Sequence, residues 1–287
     1  MSTHALLGLP APAKLNLFLH VIGRRSDGKH LLESIFTLVN LHDTIDLFPL
    51  DEDRIERSGD LIGDLDNDLC VRAARLLKTQ FNIRTGVRIH VTKRIPAGAG
   101  MGGGSSDAAT ALIGLNRLFD LHLSRKQLMT LGEQLGADVP FFIFGQTGFV
   151  EGIGEIITPI SLPNAQFAII WPGIGISTAH IFKDPYLTRD SKSMKIVVFS
   201  GAVKDMWPDL FGHNDLQPVA TRLEPRLTKC LEMLANCRSS RMTGSGSAVF
   251  GVIQDTDNYC LPSIPEQWMG CISNSLPKHP LFDWLEE

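Results

Sequence analysis

The sequence predicts an α+β fold, and three observations carry that prediction. Strand-like and helix-like segments alternate along the chain, several strands are polar on one face, and a glycine-rich loop joins a strand to a helix. A doubly wound parallel sheet would instead need strands that are apolar on both faces. The half-polar strands therefore favour an α+β architecture.

The first strand lies in "AKLNLFLHVIG", near the start of the chain. Leu15, Leu17 and Leu19 predict one face on the core, while Lys14 and Asn16 belong to the opposite face. Since alternate side chains of a strand share a face, Lys14 and Asn16 are expected to point the same way.

The following elements continue the alternation. The patterns predict an extended segment in "LLESIFTLVNLHDTIDLFPL", a helix in "NDLCVRAARLLKTQF", a half-exposed strand in "GVRIHVTKRIP", a helix starting near Ser106, and a helix in "SRKQLMTLGEQLG" ended by Gly136. The proline-punctuated stretch "TPISLPNAQ" then precedes the apolar strand "FAIIWPG". We therefore predict a domain boundary near residue 160, which gives domains 1–160 and 161–287.

The composition narrows the class of protein. The chain has 287 residues, is 44% hydrophobic and 20% charged, and carries a net charge of -4, with no basic run that would bind a nucleic acid. Its five cysteines show no CxxC spacing, which predicts neither a disulfide framework nor a structural zinc site. With no signal-peptide pattern and no long apolar run, we expect a cytoplasmic protein without a membrane partner.

The segment "IPAGAGMGGGSSDAAT" carries the strongest functional signal, with five glycines among residues 98–104. Glycines expose backbone amides, and the N-terminus of a following helix adds unpaired N–H groups and a positive dipole end. Together they predict a cradle for phosphate groups. Ser105 and Ser106 are expected to cap the helix, and Asp107 to complement its dipole.

Other phosphate-binding motifs match this loop poorly. A P-loop needs lysine directly after its last glycine, where this chain has Ser105. Gly98, Gly100 and Gly103 fit G-x-G-x-x-G, but the preceding strand is half polar and lacks the fully buried character of a Rossmann strand. No H-R-D or D-F-G signature of a protein kinase accompanies the loop.

Several segments in order resemble the GHMP kinases, which phosphorylate small metabolites. The resemblance is carried by "PAKLNLFLHV", "DGKH", "PAGAGMGGGSSDAA", "LGADVPFF", "IFKDP" and "RMTGSGSAVF", which span most of the chain. It implies a two-domain α+β fold with the active site in the cleft between domains. It also implies an N-terminal domain that binds ATP, a substrate-side C-terminal domain, Mg²⁺, and a cytidyl diphosphate alcohol of isoprenoid precursor synthesis as the substrate.

The resemblance also assigns roles to individual residues. Lys14 and Asp138 match the catalytic pair, although Asp138 taken alone would be interpreted as a helix N-cap. The residues matched to nucleotide binding are Pro96, Ala97, Gly98, Ala99, Gly100, Met101, Gly102, Gly103, Gly104, Ser105 and Ser106. Those matched to substrate binding are Asn16, His30, Thr178 and Phe182. No carboxylate ligand for Mg²⁺ is assigned, and Ser106 is the weak candidate for that role.

Two positions depart from the family pattern, and three other functions stay open. Lys29 stands where the family commonly has a tyrosine against the cytosine, and Asp68 where asparagine is common, beside Asn67. The alternatives are a GHMP-type kinase of another small alcohol, a nicotinamide-dependent oxidoreductase, and a non-catalytic nucleotide-binding module.

Overall fold

The computed structural model describes residues 4–195, 198, 209, 211–254, 256 and 258–287. Strands and helices are mixed along the chain, as an α+β fold requires. The strands are β1 Leu6–Arg24, β2 His30–Leu50, β3 Ile55–Gly59, β4 Gly86–Thr92, β5 Gly148–Gly152, β6 Ile156–Pro159, β7 Gln166–Trp171, β8 Arg238–Met242, β9 Val249–Val252 and β10 Met269–Leu276. The helices are α1 Leu69–Gln80, α2 Gly103–Leu118, α3 Arg125–Glu133, α4 Val139–Phe144, α5 Thr178–Lys183, α6 Gln217–Leu223 and α7 Arg226–Met233.

The sheet is organised around the long strand β2. The strands of the sheet lie side by side in the order β3-β4-β2-β10-β7-β9-β8, and β1 and β5 also pair with β2. All of these pairings are antiparallel except that of β3 with β4. Since β10 pairs with β2 at Val39 and Leu38, the strands on the two sides of residue 160 form one continuous sheet.

Local sequence signals account for several element boundaries. The Asp68 side chain caps α1 by accepting hydrogen bonds from the backbone N–H groups of Cys70 and Val71. Ser124 and Gln127 form a capping box at the start of α3. In β4, buried Val87, Ile89 and Val91 alternate with more exposed residues, which confirms the predicted half-exposed strand.

The first strand differs from its prediction because both of its faces are buried. Lys14, Asn16 and His20 are each no more than 4% exposed, although their face was expected to be polar and open. The polar side chains are buried because the second half of the chain packs over them, as Thr243 does by bonding the backbone N–H of Asn16. A sequence pattern within one strand carries no signal for such a distant partner.

The helix after the glycine loop begins three residues earlier than predicted. Its N-cap is Gly102, with φ of 72° in the left-handed region, and its first residue is Gly103. Ser105 and Ser106 therefore lie inside the first turn, and the expectation that they cap the helix is wrong. The cap is made by glycine backbone conformation, which no side-chain signal marks.

The core consists of three clusters of buried side chains. One lies under α1 and α2, one lies between the two halves of the chain, and one lies under α6 and α7. The end of the chain returns to the first cluster through Leu281 and Leu285. The boundary near residue 160 falls between β6 and β7 and remains a prediction. Within the described residues, no helix combines the length and the apolar character that crossing a bilayer requires.

Candidate active site

A cavity of about 520 Å³ opens between segments from both halves of the chain. One side is formed by β1, the glycine loop and the start of α2, and the other by residues near α5 and by the loop of residues 244–246. The predicted site residues that line it are Lys14, Asn16, Pro96, Ala97, Gly98, Ala99, Gly100, Met101, Gly102, Gly103, Gly104, Ser105, Asp138, Thr178 and Phe182. The fold therefore brings most of the predicted site together in one cleft.

The glycine loop is held in place by another stretch of backbone. Ser247 and Ala248 donate backbone hydrogen bonds to the carbonyls of Gly98 and Ala99, at 3.2 and 3.0 Å. A Cβ on Gly100, whose φ is 75°, would clash with the carbonyl oxygen of Thr243. At Gly100, therefore, close approach of the protein's own chain already requires glycine.

The start of α2 lines the main cavity. Gly103, Gly104 and Ser105 form the first turn, so their N–H groups have no partner within the helix, and all three residues line the cavity. A Cβ on Gly104 would have only one atom within 4 Å, Leu69 Cδ1 at 3.9 Å. This turn therefore presents unpaired donors and the positive end of a helix to the cavity.

Lys14 reaches the cavity from β1 and is 4% exposed. Its Nζ donates to Asn16 Oδ1 at 2.5 Å and lies 4.4 Å from the centre of the Phe36 ring. Burial lowers the pKa of Lys14, and the negative charge of Asp138 partly offsets that effect. The side chain is thus a buried amine that its neighbours fix at the cavity wall.

Asp138 lies opposite Lys14, with 3.8 Å between its Oδ2 and the lysine Nζ, and its side chain is 35% exposed. This distance allows electrostatic attraction but is too long for a hydrogen bond. Asp138 occupies the N-cap position of α4, yet its side chain makes no capping hydrogen bond. Its carboxylate is therefore available to the cavity, and the interpretation as a cap is wrong.

Asn16 confirms the predicted shared face with Lys14, because the two side chains are hydrogen-bonded. Its amide is also held by other protein groups. Asn16 Nδ2 donates to Ser34 Oγ at 3.1 Å, and Thr243 Oγ1 donates to Asn16 Oδ1 at 3.3 Å. This arrangement orients the amide that in turn orients Lys14. Direct contact of Asn16 with a substrate stays a prediction.

Ser106 is the predicted nucleotide-binding residue that the structure does not bring into the cavity. It is fully buried, and its hydroxyl donates to the carbonyl of Pro12 at 2.7 Å. Its backbone N–H is also used, in a bond to the carbonyl of Gly102. Ser106 therefore ties α2 to β1, and the structure gives no support to it as a magnesium ligand.

A second cavity of about 330 Å³ adjoins the first, and Phe182 lines both. The ring centres of Phe182 and His30 lie 4.8 Å apart, so these two residues, both predicted to bind the substrate, are neighbours. Arg24, Lys183 and Arg189 also line this cavity. None of these three basic residues was predicted as a site residue, since the sequence pattern around them gives no signal for a shared cavity.

Two further predicted positions differ in their surroundings. The hydroxyl of Thr178 lies at the cavity and is 2.7 Å from that of Ser245. Lys29 is exposed and does not appear in the wall of either cavity, so its side chain does not occupy the place expected for an aromatic ring against the cytosine.

Asp68 is occupied by structural contacts. Besides capping α1, it accepts a hydrogen bond from Arg57 Nε at 2.9 Å, in a pair whose side chains are 10% and 4% exposed. Asn67 lies beside it, is exposed, and lines the main cavity. Asn67 is therefore the better placed of the two to contact a nucleotide.

One lysine serves two buried carboxylates near the start of α2. Lys93 Nζ bonds Asp43 Oδ2 and Asp107 Oδ2, while Asp43 also accepts from the backbone N–H of Ile95. Burial raises the pKa of Asp107 to about 7, the repulsion from Asp43 adds to the effect, and Lys93 opposes it. Asp107 Oδ1 is buried without a hydrogen-bond partner within the described residues. The expectation that Asp107 serves only the helix dipole is therefore incomplete.

Comparisons with known proteins agree with this geometry. The chain matches the model of the GHMP kinases N terminal domain over residues 68–146 and that of the GHMP kinases C terminal over residues 203–258. It is 47% identical to a 4-diphosphocytidyl-2-C-methyl-D-erythritol kinase of Thiobacillus denitrificans, over 97% of this chain and 98% of that protein.

Solved structures give the same family. A crystal structure of 4-(cytidine 5'-diphospho)-2C-methyl-D-erythritol kinase is similar with a TM-score of 0.75 and 33% identity, over 88% of this chain and 91% of that one. Homoserine kinase from Cytophaga hutchinsonii shares the fold, with a TM-score of 0.68 and 16% identity over 97% of each chain. The first relative is 47% identical over nearly the whole chain, and the models of both GHMP kinase domains match. The chain therefore belongs to the GHMP kinase family.

Proposed function

We propose that this protein transfers a phosphoryl group from ATP to a hydroxyl of 4-diphosphocytidyl-2-C-methyl-D-erythritol. The observation that carries the proposal is the arrangement of Lys14 and Asp138 across one cavity from the open first turn of α2. The name of the relatives that match nearly the whole chain supports the choice of substrate.

ATP is the phosphoryl donor, because the chain belongs to a kinase family. Because the chain belongs to a kinase family, we drop the hypothesis that it is a nicotinamide-dependent oxidoreductase. In our proposal the glycine loop and the first turn of α2 hold the phosphates through backbone N–H groups, and Asn67 is placed to contact the nucleotide.

Asp138 and Lys14 perform the chemistry in this proposal. Asp138 takes the proton of the acceptor hydroxyl, or orients that hydroxyl, as it attacks the terminal phosphorus of ATP. Lys14 attracts the Asp138 carboxylate electrostatically and stabilises negative charge near the transferred group. The fixed hydrogen bond from Lys14 to Asn16 positions the cation before substrate arrives.

Mg²⁺ completes the proposed site. The described residues contain no cluster of three His, Cys, Asp or Glu side chains that could hold a metal by themselves, so the ATP phosphates and water would supply most of the ligands of this ion. Mg²⁺ characteristically takes one or two protein carboxylates together with substrate phosphates and water. When bound, it would neutralise charge on the phosphates.

The cytidyl part of the substrate is assigned to the second cavity, which Phe182, His30 and Arg24 line. Thr178, which lines the main cavity, is assigned to substrate binding as well. A cytoplasmic location belongs to the same proposal. It is supported by the five cysteines, which all lie in the described residues as free thiols.

The experiment that tests this function is ADP release measured with a panel of acceptors. The panel contains 4-diphosphocytidyl-2-C-methyl-D-erythritol, homoserine and a reaction without acceptor. We expect kcat/KM for the cytidyl compound to exceed that for homoserine by about 10²-fold or more, because homoserine leaves the second cavity empty. Equal rates with both alcohols, or faster turnover of homoserine, would overturn the substrate assignment.

A further inference from the structure

Arg189 joins the segment after α5 to His30 at the second cavity. Its Nε lies 3.1 Å from His30 Nε2, and its terminal nitrogens donate to the backbone carbonyls of Phe182, Asp184 and Leu187 at 2.8 to 3.0 Å. These four hydrogen bonds and the planar guanidinium fix the position of Arg189 relative to His30 and Phe182. No part of the mechanism above uses this arginine.

The hydrogen bond from Arg189 to His30 has a defined direction. A guanidinium has donors only and keeps its charge in proteins, so the arginine must donate. His30 Nε2 must then accept with a lone pair, and the neutral ring carries its proton on Nδ1. Burial lowers the pKa of His30, and the positive charges of Arg189 and Arg24 lower it further. The surrounding charges favour the neutral ring, and the hydrogen bond from Arg189 selects the tautomer protonated on Nδ1.

The remaining donor of His30 is available to a ligand. Nδ1 has no hydrogen-bond partner among the residues that the structure describes, and His30 lines the second cavity beside Phe182. The charged side chains around this cavity are Arg24, Lys183 and Arg189, and its wall contains no carboxylate. The ring can therefore offer one N–H to an acceptor atom while Phe182 offers an apolar face.

We propose that Arg189 is a positioning residue for substrate recognition, which holds His30 as the neutral tautomer protonated on Nδ1 so that His30 donates to an acceptor on the pyrimidine base. The inference rests on the proposed function for the identity of the ligand. Cytosine offers two such acceptors, O2 and N3. A histidine with the opposite tautomer would present a lone pair to them and weaken binding.

Nitrogen-15 NMR of the ligand-free protein tests the tautomer directly. At pH 7.5 we expect the wild-type His30 spectrum to show a protonated Nδ1 and an unprotonated Nε2, with the signals assigned by their loss in His30→Gln. Arg189→Met should convert His30 to a mixture of tautomers. The matched control is Arg222→Met, because Arg222 pairs with Asp184 on the same segment without touching His30. A wild-type His30 protonated on Nε2, or unchanged in Arg189→Met, would overturn the proposal.

Binding and turnover supply the second arm. Arg189→Met should raise the Kd of cytidine diphosphate and the KM of the cytidyl substrate about five- to tenfold, with kcat and ATP affinity changed by less than about twofold. Arg222→Met should change none of these values, and Arg189→Lys should recover little, because lysine lacks the planar fork. An equal effect in the control would overturn the role of Arg189. Failure to turn over the cytidyl compound in wild type, with the tautomer as expected, would instead count against the proposed function alone.

Discussion

Lys14 and Asp138 are neighbours in the wall of the main cavity, with 3.8 Å between Nζ and Oδ2, although one lies on the first strand and the other precedes α4. At this distance the two side chains do not form a hydrogen bond with each other. The space between them and the first turn of α2 is where an acceptor hydroxyl and the terminal phosphate of ATP would meet.

The first prediction concerns this pair. Asp138→Asn should reduce kcat by about 10² to 10⁴-fold while both ligands still bind, because the amide cannot accept the proton. Lys14→Met should also reduce kcat more than ATP affinity, and the double variant should lose less than the product of the two effects if the residues act as a unit. Single-turnover kinetics and ATP titrations measure both quantities. Independent, fully multiplicative losses would show that the two residues act separately.

A second prediction addresses the phosphate cradle at Gly104. Gly104→Val should weaken ATP binding by about tenfold or more, because the side chain would project into the cavity beside the free N–H groups. The fold should persist, since only Leu69 Cδ1 lies within 4 Å of the new Cβ. Gly23→Val is the matched control, because its Cβ would also meet a single atom, Leu31 Cδ1, away from the main cavity. If calorimetry gives both variants the ATP affinity of wild type, the cradle is not at this turn.

The third prediction concerns Lys29, at the position where the resemblance led us to expect a tyrosine against the cytosine. Lys29→Ala and Lys29→Tyr should each change the Kd of the cytidyl substrate by less than about twofold, because an exposed side chain outside both cavities makes little contact energy. Arg24→Ala should weaken binding by about fivefold or more, because Arg24 lines the second cavity and supplies a cation there. Isothermal titration at low and high salt measures these affinities. If Lys29→Ala strongly weakened binding of the cytidyl substrate and Arg24→Ala did not, residue 29 and not Arg24 would contact the substrate.

A fourth prediction follows from the buried carboxylate of Asp107. Its pKa is raised to about 7, chiefly by burial, so the folded protein holds a proton that the unfolded chain has released above about pH 4. This carboxyl therefore lowers the free energy of unfolding as pH rises from about 4 to 7. Asp107→Asn removes that contribution, and its stability relative to wild type should rise by about 1 kcal/mol or more across this window.

Urea unfolding at pH 4.5, 6 and 7.5 measures this effect. Asp51→Asn, at an exposed aspartate, serves as the control and should follow the wild-type pH dependence. If Asp107→Asn also runs parallel to wild type over the three pH values, Asp107 is ionised throughout the range and the proton is not held there.

The sequence predicted the parts of this molecule that local patterns determine. The alternation in β4, the helical spacing in α1 and the shared face of Lys14 and Asn16 all follow from residues close together in the chain. The start of α2 was missed because Gly102 caps the helix through backbone conformation alone. The burial of both faces of β1 was missed because it depends on contacts with residues beyond 200, such as Thr243.

In the candidate site, too, local motifs predicted some residues, and only the three-dimensional structure revealed others. The glycine loop, Lys14 and Asp138 were found through motifs, and the structure places them in one cavity. Ser106 was matched to nucleotide binding through the same glycine-serine motif, but in the structure its hydroxyl donates to the carbonyl of Pro12. The contact between Arg189 and His30 joins two segments that carry no local signal for each other, so only the three-dimensional structure reveals it.

Phosphorus-31 NMR of the reaction mixture shows whether this protein transfers the phosphoryl group of ATP to the cytidyl compound itself. With wild-type protein, ATP, Mg²⁺ and 4-diphosphocytidyl-2-C-methyl-D-erythritol, we predict stoichiometric conversion of ATP to ADP with one new phosphomonoester signal. The diphosphate signals of the cytidyl compound should persist, and mass spectrometry should show one added phosphoryl group on it. Two results would contradict phosphoryl transfer to the cytidyl compound. One is conversion of ATP only to ADP and inorganic phosphate, and the other is unchanged ATP while the protein is folded and binds ATP.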